Sequence, residues 1–410
     1  MARKNPRFSY AIVAAAGIAT LVAGCGSNSS GGSASGGGST SGGASSGAPV
    51  KVMIEGAISG PVYALPEMVT GAKAGVARIN QKGGVNGHQV QLVVCDDQGN
   101  PNQDAACGRK AVSEHVVAAV GSLSIYDTNF MPALAAAKIP YFASTDINPI
   151  DHTSPISFPI NASATDYTGE GQLLAADGGG CKSAAVLAVN QPGTTDGIKF
   201  IKAAFMKAGG TSFKSYLYPA TTTNFTSNVA TALAGGAKCM SIIGGPQAVV
   251  GILTAVKKSG SSIPVNTNLA TIVQALYAPV NFPAGQLTVN GTYFSPDSGT
   301  TSAPLTQFVA DMKATGVTGA AGAADNLAEN AYQGVLMFAQ DAKGVSDITG
   351  PNLLAGVSKM TNVDTGLTPA FSLAGTGVFP GYPQDKDNHE VEYKWTGSAL
   401  SFVKNFTVTP

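Results

Sequence analysis

From residue 50 onward the chain alternates between short apolar runs and longer stretches that place apolar residues on one helical face. Residues 50–57 form an apolar run of strand length. Over 66–81, Met68, Ala72, Val76 and Ile79 fall at helical spacing, which predicts a helix with one buried side. Gly83-Gly84-Val85-Asn86-Gly87 marks a turn. The series continues with a strand at 90–95, a helix at 102–114, a strand at 116–121, a helix at 128–137 and a short strand at 140–143. It then restarts. Helices are predicted at 164–176, 197–208, 224–233 and 247–258, and strands at 183–189, 213–218, 240–243 and 265–268. Further helices follow at 305–313, 323–341 and 352–360, and the tail reads as a hairpin of strands 391–395 and 400–406. Strand–helix alternation of this kind builds parallel sheets covered by helices on both faces. The expected fold class is α/β, with two doubly wound parallel-sheet lobes, a hinge and an inter-lobe ligand cleft at the carboxyl ends of the strands.

The pattern does not hold before residue 49. Arg3, Lys4 and Arg7 precede an uncharged apolar run over 10–23, too short to span a membrane comfortably and flanked as an export signal is. The run ends in Leu21-Val22-Ala23-Gly24-Cys25, which resembles the bacterial lipobox, where the leader is cut before a cysteine that is then lipidated. Residues 1–24 are thus expected to be a lipoprotein signal peptide and Cys25 the lipidation site. Residues 25–48, nearly all Gly, Ser and Ala after the cysteine, are expected to be a flexible tether.

Composition narrows the function. Lys+Arg and Asp+Glu both total 24, and no long basic run occurs, which argues against nucleic-acid binding. No later apolar stretch reaches transmembrane length. Four cysteines remain, Cys95, Cys107, Cys181 and Cys239; in an exported chain this even number suggests two disulfides. Three pairings exist. Cys95–Cys107 with Cys181–Cys239 is favoured, because each pair then lies within one predicted lobe. Cysteine spacing is unlike that of zinc sites, and His88, His115, His152 and His389 are scattered, so neither a metal nor a cofactor is expected. The chain has no Walker loop, no GxSxG elbow and no GxGxxG after its first strand, which excludes the commoner enzyme readings.

Five segments in register carry a resemblance: Gly56-Ala57-Ile58-Ser59-Gly60-Pro61; Gly71-Ala72 through Ile79-Asn80-Gln81-Lys82-Gly83-Gly84-Val85-Asn86-Gly87; Val93-Val94-Cys95-Asp96-Asp97-Gln98; Val120-Gly121-Ser122; and Ile139-Pro140. In these the chain resembles the type I periplasmic solute-binding proteins, the leucine/isoleucine/valine-binding group. The resemblance implies a monomer that closes on a small-molecule solute by hinge motion and passes it to an ABC transporter permease. With the lipid anchor, it implies a place at the membrane on its extracytoplasmic side. A ligand sensor of the same fold acting on a membrane receptor is the alternative role. Lobe boundaries are expected at 49–161 with 296–366, and at 162–295 with 367–410, with crossings near Asn161 and Ser163, within 294–297 and within 367–379.

The family binds through hydroxyls and backbone N–H groups of strand-to-helix loops, which suits a carboxylate. Carried onto this chain, the resemblance implies ligand contacts from Tyr63, Ser122, Ser124, Tyr126, Thr145 and Asp146 in the first lobe. It implies Thr195, Pro246 and Asn268 in the second. Asp96 and Asp97, at a strand end, are expected to cap a turn or helix. Two positions depart from the family: Pro246 stands where an aromatic is common. Asn268 falls near the acidic group that meets the ammonium of an amino acid, and an Asn cannot neutralise a buried cation. An uncharged or acid-only solute therefore stands beside an amino acid as the expected ligand.

Overall fold

A computed structural model of the chain describes residues 47–60, 64–191, 193–269, 278–316 and 326–410. The signal, Cys25 and most of the tether lie outside the described residues. Strand β1 (Gly47–Gly56) begins two residues inside the segment read as tether, with Gly47 paired to His88.

The first half runs β1, α1 (Pro66–Gln81), β2 (His88–Asp96), α2 (Pro101–Ser113), β3 (Val116–Val120), α3 (Asp127–Ala137), β4 (Tyr141–Phe142), β5 (Thr145–Asp146), α4 (Pro149–Thr153), β6 (Ser157–Phe158) and β7 (Asn161–Ala162). Five of these strands form a parallel sheet in the order β2-β1-β3-β4-β6. Successive side chains of β1 point to opposite faces. Val52 and Ile54 pack with Met68, Ala72, Val76 and Ile79 of α1. Met53 packs on the other face with Cys107 of α2 and with Phe130, Met131 and Leu134 of α3. Burial on both faces explains why the strands read as continuous apolar runs.

The second half runs α5 (Ser163–Gly180), β8 (Ser183–Val189), α6 (Thr194–Lys207), β9 (Ser212–Tyr218), α7 (Thr226–Ala234), β10 (Cys239–Ile243), α8 (Pro246–Lys258), β11 (Val265–Asn268) and β12 (Leu287–Gly291). Then come α9 (Ala303–Ala314), α10 (Asn326–Ala342), α11 (Gly350–Val357), β13 (His389–Trp395) and β14 (Leu400–Thr407). Its sheet has the order β14-β13-β12-β11-β10-β8-β9. Five strands are parallel; β13 and β14 close the edge antiparallel, as the hairpin reading expected. Alternation recurs in β8, whose Ala185, Leu187 and Val189 face one core while Ala184, Val186 and Ala188 meet Leu174 of α5 and Ile201 and Phe205 of α6.

Helices α9, α10 and α11 return to the first sheet, α9 and α10 lying against α1 and α11 against β3. Contact between α1 and α10 is close: a Cβ on Gly71 would stand 1.9 Å from the carbonyl oxygen of Ala328. Gly121, which follows β3 with φ +58°, would bring a Cβ within 2.2 Å of the Ala331 Cα. Only glycine meets both demands, and it lets the following loop turn beneath α10.

Three passages link the two sheets. Short strands β5 and β7 pair in parallel at the first. At the second, Phe294 donates its N–H to the Leu367 carbonyl at 2.9 Å, joining the outgoing and returning chains. The third runs from α11 to β13. Tyr293 adds a phenol hydrogen bond to the Asn330 side chain, whose amide in turn donates to the Ala143 carbonyl at 2.8 Å.

Both disulfides form as favoured. Cys95–Cys107 ties β2 to α2, and Cys181–Cys239 spans the starts of neighbouring strands β8 and β10. Among the described residues no helix is long and apolar enough to cross a membrane. Helix α2 is capped by Asn100, whose side-chain oxygen accepts from the N–H groups of Asn102 and Gln103. Asn100→Ala is expected to cost about 1 kcal/mol, read as a lower urea midpoint at unchanged slope.

Candidate functional site

The carboxyl ends of the first sheet's strands carry the loops where ligand contacts were expected. Asp96 holds the first of them. Its carboxylate accepts from the backbone N–H of Ile58 and Ser59, each at 3.1 Å, from Gln98 at 2.9 Å, and from the Ser59 hydroxyl. These hydrogen bonds keep its carboxyl below the usual range against the opposing effect of burial. Asp96 thus caps its own turn, as expected, and also fixes the loop after β1. Tyr63, in that loop, lies outside the described residues.

The loop after β3 is held from inside the lobe. Ser122 is fully buried; its hydroxyl accepts from the Glu55 N–H at 2.9 Å, and its carbonyl accepts from the Thr145 N–H at 3.2 Å. Ser124 is 1% exposed, and its hydroxyl lies 2.9 Å from Asp97 Oδ2 and 3.0 Å from Asp104 Oδ1. Both hydroxyls are therefore engaged by the lobe itself. Ile125 is 41% exposed and Tyr126 half-buried, so the face this loop turns outward is apolar and aromatic.

Thr145 and Asp146 form β5, at the first passage between sheets. Thr145 Oγ1 accepts from the Asn330 amide at 3.3 Å. Asp146 bonds the His152 ring through Nδ1 at 2.9 Å and accepts from the Ser163 hydroxyl. Ile147 follows, 38% exposed.

From the second sheet, Thr195 is exposed in the first turn of α6, and Pro246 is half-buried as the first residue of α8. Asn268 is buried at the end of β11, paired in register with Asn290 of β12. The two halves meet at Gly193, the α6 N-cap, where an added Cβ would have the Ile147 carbonyl oxygen as its nearest neighbour at 3.6 Å. The structure thus sets Asp146 and its loop opposite the start of α6, while Ser122 and Ser124 sit inside the first lobe.

Sequence reasoning missed a strap at the third passage. Tyr382 stacks on the His152 ring at 4.0 Å and meets Phe200 of α6 edge-on at 5.1 Å, bridging the lobes. The Gln384 N–H donates to the His152 carbonyl at 3.1 Å. Burial, reinforced by the charge of Asp146, pushes the Asp385 carboxyl up to about 10. The signal was the Gly-, Pro- and aromatic-rich run over 371–383, which carries no period.

This geometry offers helix starts, backbone donors and two exposed isoleucines on the loops of the first lobe, which is equipment for binding. Comparisons agree. The periplasmic binding protein family matches residues 49–381. The Leu/Ile/Val-binding protein of Escherichia coli (strain K12) is 40% identical over 75 residues, 18% of this chain, and the match spans 20% of that relative's length. A fatty acid ABC transporter substrate-binding protein from Thermomonospora curvata superposes with a TM-score of 0.72 at 16% identity, covering 88% of this chain and 92% of that one. A solute-binding protein of an ABC transporter from R. palustris, in complex with 4-hydroxybenzoate, superposes with a TM-score of 0.71 at 17% identity, covering 88% and 98%. With four-fifths of its length matched and both lobes in place, the chain belongs to the periplasmic binding protein family, its local likeness being to the Leu/Ile/Val-binding proteins.

Proposed function

We propose that this protein is a lipid-anchored, extracytoplasmic solute-binding protein that closes on a small carboxylic acid with an apolar body and presents it to an ABC importer. The family match over residues 49–381, on a two-lobed α/β chain, carries the reading. Lobes of 49–161 with 296–366, and 162–295 with 367–410, would rock about the three passages, and the solute would favour closure by binding the closed form more tightly. Cys25, at the end of an export-like leader, would supply the anchor.

The solute class follows from what the relatives' names share. Branched-chain amino acids, fatty acids and 4-hydroxybenzoate are all carboxylates with apolar remainders; only the amino acids add an ammonium. The buried Asn268 cannot neutralise an ammonium, whereas exposed Ile125 and Ile147 suit an apolar body. The start of α6, with Thr195, supports carboxylate binding through its N–H groups.

A thermal-shift panel tests this. Saturating 4-hydroxybenzoate or a fatty acid is expected to raise the melting temperature by several degrees, and leucine to raise it little. A shift with leucine alone would overturn the acid-only assignment; a shift with a sugar or polyol and with no acid would overturn the solute class altogether.

A further inference from the structure

The first lobe contains a group of acids that the binding function does not use. Glu55 is the penultimate residue of β1, Asp97 follows β2 and Asp104 lies in the first turn of α2; all three are fully buried. One carboxylate oxygen from each lies within 4.8 Å of the others. No donor group faces either oxygen of Glu55 or Oδ2 of Asp104, and the side-chain partner of Glu55 is another acid, Asp104. Ser124 stands between Asp97 and Asp104, but its hydroxyl carries a single proton for two acceptors. Among the described residues, no Lys, Arg or His forms an ion pair with these acids.

A second observation comes from another element. Asp127, at the start of α3, is fully buried; no donor group faces its carboxylate oxygens, and its side-chain partner is a further buried acid, Asp151. It is the strongest of the charges acting on Glu55; Asp151 acts most strongly on Asp127 itself, followed by Asp104 and Asp97. The phenol of Tyr141, also fully buried, feels both Asp127 and Glu55. Four buried carboxyls thus converge from β1, the β2–α2 loop, α2 and α3, and an unpaired buried carboxylate is costly.

We propose that Glu55, Asp97 and Asp104 hold a calcium ion inside the first lobe, with Asp127 supplying further negative charge beside it. Hard oxygen ligands select calcium or magnesium over softer metals, and the irregular set of side chains suits the flexible shell of calcium. The spacing fits, since two oxygens each about 2.3–2.6 Å from one calcium ion lie at most about 5 Å apart. The Cys95–Cys107 bridge holds α2, and so Asp104, against β2 and the Asp97 that follows it. An ion there would brace the loops after β1, β2 and β3, the region where the ligand contacts of the first lobe were expected.

The test uses purified protein, disulfides intact, refolded from denaturant either with EDTA or with calcium chloride, and with no solute present, so it is independent of the solute assignment. Mass spectrometry of the calcium-refolded protein is expected to find about one calcium per chain, with a melting temperature about 5 °C or more above the EDTA sample. Glu55→Gln and Asp104→Asn are each expected to abolish that difference, while Glu55→Gln in EDTA melts no lower than the parent because one buried charge is gone. Absence of bound calcium, with equal melting of the two parent samples, would overturn the proposal and leave protons shared between carboxyls as the neutralising device. A calcium shift that persists unchanged in both variants would also overturn it.

Discussion

Replacing Cys181 and Cys239 together by alanine is expected to lower the unfolding free energy by about 4 kcal/mol. The bridge closes a loop with a sequence separation of 58. Cross-linking a loop of that size removes about 14 cal/mol/K of entropy from the unfolded chain in the loop-closure account. The shorter bridge, with a separation of 12, contributes about 3 kcal/mol on the same basis. Alanine keeps both sites apolar, which matters because Cys181 is 6% exposed and Cys239 fully buried among Leu174, Ala184 and Phe205. Chevron-free equilibrium unfolding in urea is sufficient: the midpoint should fall, and the slope should rise because the uncrosslinked unfolded chain exposes more surface. A loss under about 1 kcal/mol would mean that the paired strands β8 and β10 already restrict the unfolded chain without the bridge.

Much of the fold was legible because both sheets are buried on two faces. Burial forces continuous apolar runs in β1, β3, β8 and β10, and helices between them show one-sided spacing, as in α1 with its buried Met68, Ala72, Val76 and Ile79. Strand β12 was not legible. Its sequence, Leu287-Thr288-Val289-Asn290-Gly291, has buried polar residues at alternate places, and Asn290 is held by hydrogen bonds to the Asp166 carbonyl and Glu390 that no local pattern encodes. The two-residue strands β5, β6 and β7 and the five-residue α4 are too short to show a period.

The site was less legible than the fold. Residue type places Ser122 and Ser124 in a strand-to-helix loop, where a hydroxyl can face a ligand. Which way it faces depends on partners distant in sequence: the Glu55 N–H for Ser122, and Asp97 and Asp104 for Ser124. The acid cluster was invisible for a related reason. Metal reading from sequence rested on Cys and His spacing, whereas Glu55, Asp97, Asp104 and Asp127 are spread over four segments and converge only when the sheet forms. Among the cysteines, sequence neighbourhood within a lobe was enough, because a bridge inside one folding unit needs no long-range arrangement.

Glu170→Gln is expected to remove a pH dependence of several kcal/mol from the protein. Glu170 lies on α5 and is fully buried; it accepts from the Ser241 hydroxyl and from the Ile242 N–H, and its second oxygen has no partner. Burial pushes its carboxyl up to about 8 from an ordinary value of about 4.5, with Asp166 adding to the rise. The folded protein therefore binds the Glu170 proton more tightly than the unfolded chain does. Where the folded state holds more protons, stability falls as pH rises, so the loss accrues between about pH 4.5 and pH 8. At about 1.4 kcal/mol per pH unit across that window, the parent forfeits about 4 to 5 kcal/mol that glutamine, with no proton to lose, retains. Asp104, Asp151 and Asp341, raised by burial to about 6, 7 and 7, slope in the same direction, and comparison with the parent at each pH removes their common share. Urea unfolding of parent and variant should give nearly equal stabilities at pH 5 and an advantage for the variant that grows through pH 7 to 8.5. Curves that run parallel over this range would mean that Glu170 stays ionised in the fold, with water or a cation reaching the oxygen that has no partner here.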